Sequence, residues 1–188
     1  DNRIDIRDAN KISELILDVQ PDFVFHLAAQ ALVRTSYGAP LETITTNALG
    51  TANVLDSLRK IEKNVVAVMI TSDKAYANME WIWGYREIDR LGGKDPYSGS
   101  KAMAELAIHT YVESYFRGPN SNVQIGIARA GNVIGGGDWA VDRIVPDCMQ
   151  AWSVNEVVDI RSPSATRPWQ HVLEPLSGYL TLAEKLAW

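Results

Sequence analysis

One cysteine, Cys148, is all that this sequence contains, which excludes an internal disulfide framework and any multi-cysteine zinc site. A reducing, cytoplasmic setting is the expectation that follows. Basic residues are also short. Lys and Arg number 18 against 23 Asp and Glu, a formal charge of −5 that offers no footprint for nucleic acid. No uninterrupted apolar run approaches the roughly 20 residues a membrane helix needs, so no membrane role is expected. The chain opens on Asp1-Asn2-Arg3, without an initiator methionine or a signal peptide. It also has no G-x-G-x-x-G turn; Gly135-Gly136-Gly137-Asp138 lacks that spacing and follows the fourth strand-like segment. The expectation is an internal piece of a longer polypeptide, lacking a first βαβ unit and most of a C-terminal substrate lobe.

What is present is a regular alternation. Asp8 reads as an N-cap before apolar positions Ile12, Leu15, Ile16 and Val19 at helical spacing, and Pro21 stops that helix. Residues 23–27 read as a short buried strand. Pro40 opens a helix to about Glu62, whose inner face takes Leu41, Ile44, Leu49, Val54, Leu55 and Leu58. Strands follow at Val65–Thr71 and Val123–Arg129, with a helix at Ser98–Phe116 between them. After a glycine-rich loop, Gly131–Asp142, the pattern predicts helix (143–152), strand (157–161) and helix (171–186). The order points to an α/β fold, Rossmann-like and doubly wound, with a mostly parallel sheet. Residues 1–188 then form part of a dinucleotide-binding domain, with 130–188 contributing to a substrate site.

The long segment from Ser72 to Pro96 has no clear periodicity, and a loop of that length inside a domain is usually functional. It ends at Tyr97 and Lys101, four apart at a helix start, so both side chains share one face. A tyrosine is a poor base near neutrality, its ordinary pKa being about 10, and a cation held beside it favours the phenolate. Ser72 lies at the carboxyl end of a strand, where ligand sites in such sheets form. Its hydroxyl suits a substrate oxygen whose proton the tyrosine moves.

On these residues the sequence resembles the extended short-chain dehydrogenase/reductase family of nucleotide-sugar epimerases and dehydratases. Asp5-Ile6 resembles the family's pair at the adenine, and His26-Leu27-Ala28-Ala29-Gln30 its strand end beneath the dinucleotide. Asn47, in Thr46-Asn47-Ala48-Leu49-Gly50-Thr51, is similar to the family's active-site asparagine. Thr71-Ser72-Asp73-Lys74-Ala75-Tyr76, Trp81-Ile82-Trp83-Gly84-Tyr85-Arg86-Glu87, Gly131–Trp139 and Arg167-Pro168-Trp169-Gln170-His171 resemble the branch acting on CDP-glucose. More familiar dehydratases carry Asp-Glu where this sequence has Asp73-Lys74.

The resemblance implies NAD as cofactor and a nucleotide sugar, CDP-glucose foremost, as substrate. It implies a hydro-lyase that oxidises the sugar at C4, eliminates water across C5 and C6 and reduces C6, in deoxysugar and lipopolysaccharide biosynthesis. Ser72, Tyr97 and Lys101 would serve the redox step, Asp73 as acid and Lys74 as base the elimination. Asp5, Ile6, Leu27, Ala28, Ala29, Gln30, Asn47, Tyr97 and Lys101 would hold NAD. Asn132 would meet the sugar, and Arg143 and Arg167 the diphosphate, since guanidinium forks suit phosphate oxygens. Trp81 and Trp83 are candidates for a sugar wall, and His171 has no assigned role. Family members commonly pair their two long helices in a homodimer or a dimer of dimers. Here Ala104, Ile108, Val112 and Tyr115 are candidates for that seam or for the core. An epimerase, a decarboxylase or a non-catalytic relative are the alternatives.

Overall fold

In the computed structural model, which describes residues 1–187, Asp8 accepts from Lys11 N and caps helix α1 (Ala9–Val19). Ile12 and Ile16 are its buried face. Strand β1 (Phe23–His26) follows, then a short helix α2 (Val33–Gly38) that periodicity does not reveal. The helix expected from Pro40 begins there but is not uniform. It runs as α3 (Pro40–Ile44), a π-helical turn (Thr45–Leu49) and α4 (Gly50–Leu58), ending before Glu62. A π turn admits one extra residue and so rotates the helix phase by about a quarter turn. Leu41 therefore faces outward, against expectation, while Thr43, Asn47, Val54, Leu55 and Leu58 turn inward. Leu49 is also outward, because it stands five and nine residues before Val54 and Leu58 and so on the opposite face of α4.

Strands β2 (Val65–Ile70) and β3 (Val123–Ala128) complete a parallel sheet in the order β1-β2-β3, with Phe25 opposite Val68 and Val68 opposite Gly126. Central β2 divides its side chains by alternation. Val65, Ala67 and Met69 join Ile12, Leu55, Leu58 and Ile108 of α1, α4 and α5 (Pro96–Tyr111). Val66 and Val68 pack instead with Tyr179 and Ala183 of α7 (Leu173–Ala187). Gly126 permits that second layer, because a Cβ there would lie 2.7 Å from Leu186. Helices thus cover both faces of the sheet, as in a doubly wound fold. The strand at 23–27 is an edge strand, with Phe23 half exposed and His26 buried, so its expected full burial does not hold.

Two compact units are present: residues 1–130 with those from Tyr179 on, and Gly131–Gly178. The second holds a two-stranded parallel sheet, β4 (Asn132–Ile134) with β5 (Trp169–His171), and helix α6 (Ile144–Ser153). The glycine-rich loop therefore contains a strand, and its register partner is the Trp169 segment. No strand forms at 157–161. Arg161 is instead drawn into ion pairs with Asp142 and Asp147, the latter at 2.9 Å. No helix among the described residues is long and apolar enough to cross a membrane.

Candidate active site

Because the three strands are parallel, their carboxyl ends lie on one edge, and the segments beyond them gather there. These are residues 27–30, Thr71 to Ala75 and Arg129-Ala130. Helix α5 starts at the same edge. Asp95 caps it, accepting from Ser98 N at 2.9 Å and Ser98 Oγ at 2.6 Å, and Pro96 supplies the first turn. Ser36 of α2, fully buried, donates to Val33 O and accepts from Tyr97 N at 3.1 Å. The sequence-missed helix thus fixes where the Tyr97 backbone sits.

Tyr97 and Lys101 are both buried, one turn apart. Burial holds the Lys101 ammonium down to about 8 from its ordinary 10.5, while the Glu105 charge works the other way. Asn47 sits behind them. Its Oδ1 accepts from Gln30 N at 2.8 Å, and its Nδ2 donates to Gln30 O at 3.0 Å and to Ser100 Oγ at 2.8 Å. Ser100 Oγ in turn donates to Tyr97 O at 2.7 Å. One amide therefore ties the end of β1 to the first turn of α5. Below it, Thr51 Oγ1 donates to Asn47 O at 2.6 Å, so the 3.0 Å contact is His26 Nε2 donating to Thr51. Burial first, and the Lys101 charge second, push His26 down to about 4, which keeps it neutral.

Ser72 ends the β2 segment and caps a single 3₁₀ turn, Asp73–Ala75. Its Oγ donates to Asp73 Oδ1 at 3.1 Å and accepts from Lys74 N at 3.2 Å. Lys74 Nζ lies 3.9 Å from Asp73 Oδ2, with both side chains partly exposed. At the other end of the unit, Arg7 holds the Asp5 carboxylate with Nε at 3.0 Å and Nη2 at 2.5 Å. Those bonds lower its pKa to about 2. Asn53 Nδ2 donates to Ile6 O, and Ile6 lies where a Gly50 Cβ would come within 2.6 Å, so Asp5-Ile6 is fastened to α4.

Trp81 and Trp83 cluster with Tyr85, ring centroids 5.1 Å and 5.9 Å from Trp81, rather than standing apart. In the second unit Asn132 N pairs with Pro168 O, and Arg143, the N-cap residue of α6, meets Asp138 at 3.2 Å. Arg167 Nη1 donates to Thr166 O, and His171 Nδ1 accepts from Leu173 N, a capping contact for α7. Ala104 and Ile108 belong to the core of the first unit; on α5 the exposed apolar residues are Met103 and Leu106, with Tyr115 just beyond.

The model of the family described as GDP-mannose 4,6 dehydratase matches residues 2–185. The chain belongs to that family. Its similarity to CDP-glucose 4,6-dehydratase of Salmonella typhimurium is 50% identity over 185 residues, 97% of this chain and 52% of that protein. Among solved structures, a double mutant of DesIV, a dTDP-glucose 4,6-dehydratase from Streptomyces venezuelae with NAD bound, superposes with a TM-score of 0.82. It is 23% identical and covers 96% of this chain and 53% of its own. UDP-glucose 4-epimerase from Thermotoga maritima, with UDP-glucose, gives 0.82 at 21% identity, covering 97% and 58%. The two structures bear on the fold. The chain spans just over half the length of each of these three proteins.

Within this GDP-mannose 4,6 dehydratase family member, two groups at the site escaped sequence reasoning. Glu105 and Arg129 form a buried pair, Nε to Oε1 at 2.7 Å and Nη2 to Oε2 at 2.9 Å. Ser36 and Ser100 carry the backbone of Tyr97. Glu105 had one available signal: it falls four residues after Lys101, on the face that Tyr97 and Lys101 share.

Proposed function

We propose that the protein dehydrates CDP-glucose to CDP-4-keto-6-deoxyglucose, using NAD that is restored in each turnover. The observation that most supports this reading is the Asp73-Lys74 pair at the carboxyl end of β2, hydrogen-bonded to Ser72. The identity to the Salmonella enzyme supports the choice of sugar nucleotide. NAD fits the residues present. Lys101 is an ammonium only 6% exposed, at the edge where all three strands end, and donates no hydrogen bond among the described residues. Its unspent donors suit a ribose diol, and the exposed Leu27 offers apolar surface beside the Gln30 backbone.

Bound NAD supplies a reversible acceptor for the C4 hydrogen, later returned to C6. The chain's own residues move the protons. Tyr97 takes the proton of the C4 hydroxyl, with the Ser72 hydroxyl turning from Asp73 to donate to the same oxygen and the Lys101 charge stabilising the phenolate. The C4 ketone acidifies the C5–H bond. Lys74, unprotonated, takes that proton while Asp73 protonates the leaving C6 hydroxyl, and water departs. The pair ends as carboxylate and ammonium. Both side chains are partly exposed, so Lys74 gives its proton to solvent and Asp73 takes one up, which resets the pair. Asn132, Arg143 and Arg167 bind the sugar and diphosphate. Met103, Leu106 and Leu41, exposed on α5 and α3, supply the apolar seam of a homodimer.

Variants of the pair test this mechanism. Asp73→Asn and Lys74→Met should retain C4 oxidation but lose elimination by about 10²–10⁴-fold. A 4-keto sugar still bearing its C6 hydroxyl should then be trapped by borohydride. Release of 4-keto-6-deoxy sugar by both variants at near wild-type rate would make the pair structural.

A further inference from the structure

A carboxylate that the redox and elimination steps do not use lies fully buried at the centre of the site. Glu105 stands on α5, one turn beyond Lys101 and two beyond Tyr97, with no side-chain exposure. Four elements meet at its two oxygens or at the guanidinium they hold. Oε1 accepts from Thr71 Oγ1, on the residue preceding Ser72, and from Arg129 Nε just beyond β3. Oε2 accepts from Arg129 Nη2 and lies 3.8 Å from His109 Nε2. The same guanidinium continues outward into the long loop. Its Cζ stands 4.6 Å from the centre of the Tyr76 ring, and Nη1 donates to Glu87 O at 3.2 Å.

That loop is organised around the same contact. Tyr76 stacks on Tyr85 with centroids 4.9 Å apart, and Trp81 lies 5.1 Å from Tyr85. Tyr85 Oη accepts from Met79 N at 2.7 Å and donates to Asn78 at 2.9 Å. Arg86 pairs with Asp89 at 2.9 Å, and Ala77 N donates to Arg90 O beside the bridge of Tyr76 with Leu91, which is the loop's regular pairing among the described residues; Ile82, Trp83 and Ile88 are exposed. Arg129 therefore reaches both arms of the loop, at Tyr76 and at Glu87, while Glu105 fixes Arg129 to the helix of Tyr97 and Lys101.

We propose that Glu105 and Arg129 are positioning residues that hold Ser72, the aromatic loop 76–87 and the Tyr97–Lys101 helix in one register. The kinetic consequence rests on the dehydratase reading above; the structural one does not. A guanidinium clamps two carboxylate oxygens, a ring face and a carbonyl at once because it is flat and carries five donors. Lysine carries the charge without that fork.

The test separates holding the fold from holding the register. A buried ion pair replaced on both sides by apolar residues often leaves stability unchanged or raised. Glu105→Leu/Arg129→Met should therefore melt at or above the wild-type temperature. Its kcat should fall at least about tenfold, the KM for CDP-glucose should stay within a few-fold, and loop amides 76–87 should exchange faster. A folded double variant with kcat within twofold of wild type, or with unchanged loop exchange, would overturn the proposal. If that variant does not fold, Arg129→Lys decides, since it keeps a charge opposite Glu105. Faster exchange confined to 76–87 supports the positioning role, and wild-type exchange overturns it. Should the wild-type protein leave CDP-glucose untouched, the function reading falls, and exchange in these variants still decides this one.

Discussion

Replacing Lys101 by methionine should make the protein more stable while abolishing its chemistry. Burial holds the folded-state pKa of Lys101 at about 8, against 10.5 ordinarily. The unfolded chain thus binds the lysine proton more tightly than the folded one between those values, and stability rises with pH across that window. The cost is full below about pH 8 and gone above about 10.5. At 1.36 kcal/mol per pKa unit the gap amounts to about 3 kcal/mol. Methionine is one heavy atom shorter, unbranched and uncharged, so Lys101→Met should gain roughly that much at neutral pH. For a chain of this size it corresponds to about 6–12 °C in Tm. Calorimetry at pH 7 and pH 9.5 checks both size and sign, because the advantage should shrink at the higher pH. Turnover should be lost in the same variant. A Tm at pH 7 equal to or below wild type, or a gain that does not shrink with pH, would mean that Lys101 is not held charged at a cost.

Other consequences follow from the same edge of the sheet. Tyr97→Phe should remove C4 oxidation and every later step while NAD binding, followed by calorimetric titration, is largely kept; turnover within tenfold of wild type contradicts the assignment. His26, held neutral with a pKa of about 4 against 6.5, binds a proton less readily than the unfolded chain, so stability should fall as pH drops from 6.5 towards 4, by about 3 kcal/mol. His26→Gln should flatten that limb in urea titrations, and an unchanged slope would remove His26 as its cause. Asn47→Ala loses three hydrogen bonds, to Gln30 N, Gln30 O and Ser100 Oγ, and at about 1 kcal/mol each should lower Tm by about 6–12 °C. A shift under two degrees would contradict the bridging role.

Much of the frame was legible because it is written locally. Ile12 and Ile16 announce α1 by their spacing, the unbroken run Val65–Ile70 announces the central strand, and Tyr97 with Lys101 announces a helix start. The errors arise where geometry is set by something non-periodic. The π turn at Thr45–Leu49 rotated Leu41 outward, which no 3.6-residue pattern foretells. Strands β4 and β5 have three residues each and exist through pairing across 37 positions, Asn132 with Trp169. Residues 157–161 have strand-like composition but no neighbouring strand to pair with, and Arg161 turns to two aspartates. Glu105 and Arg129 looked like ordinary charged residues, because a buried ion pair is a property of the assembled fold.

Mass spectrometry of the products, after incubation of the protein with NAD and either CDP-glucose or dTDP-glucose, decides both substrate and reaction. CDP-glucose should be converted to a 4-keto product lighter by one water, with solvent deuterium at C5, and dTDP-glucose should give no such product. A product of unchanged mass with inverted C4, or dehydration of dTDP-glucose in preference to CDP-glucose, would contradict the CDP-glucose dehydratase reading.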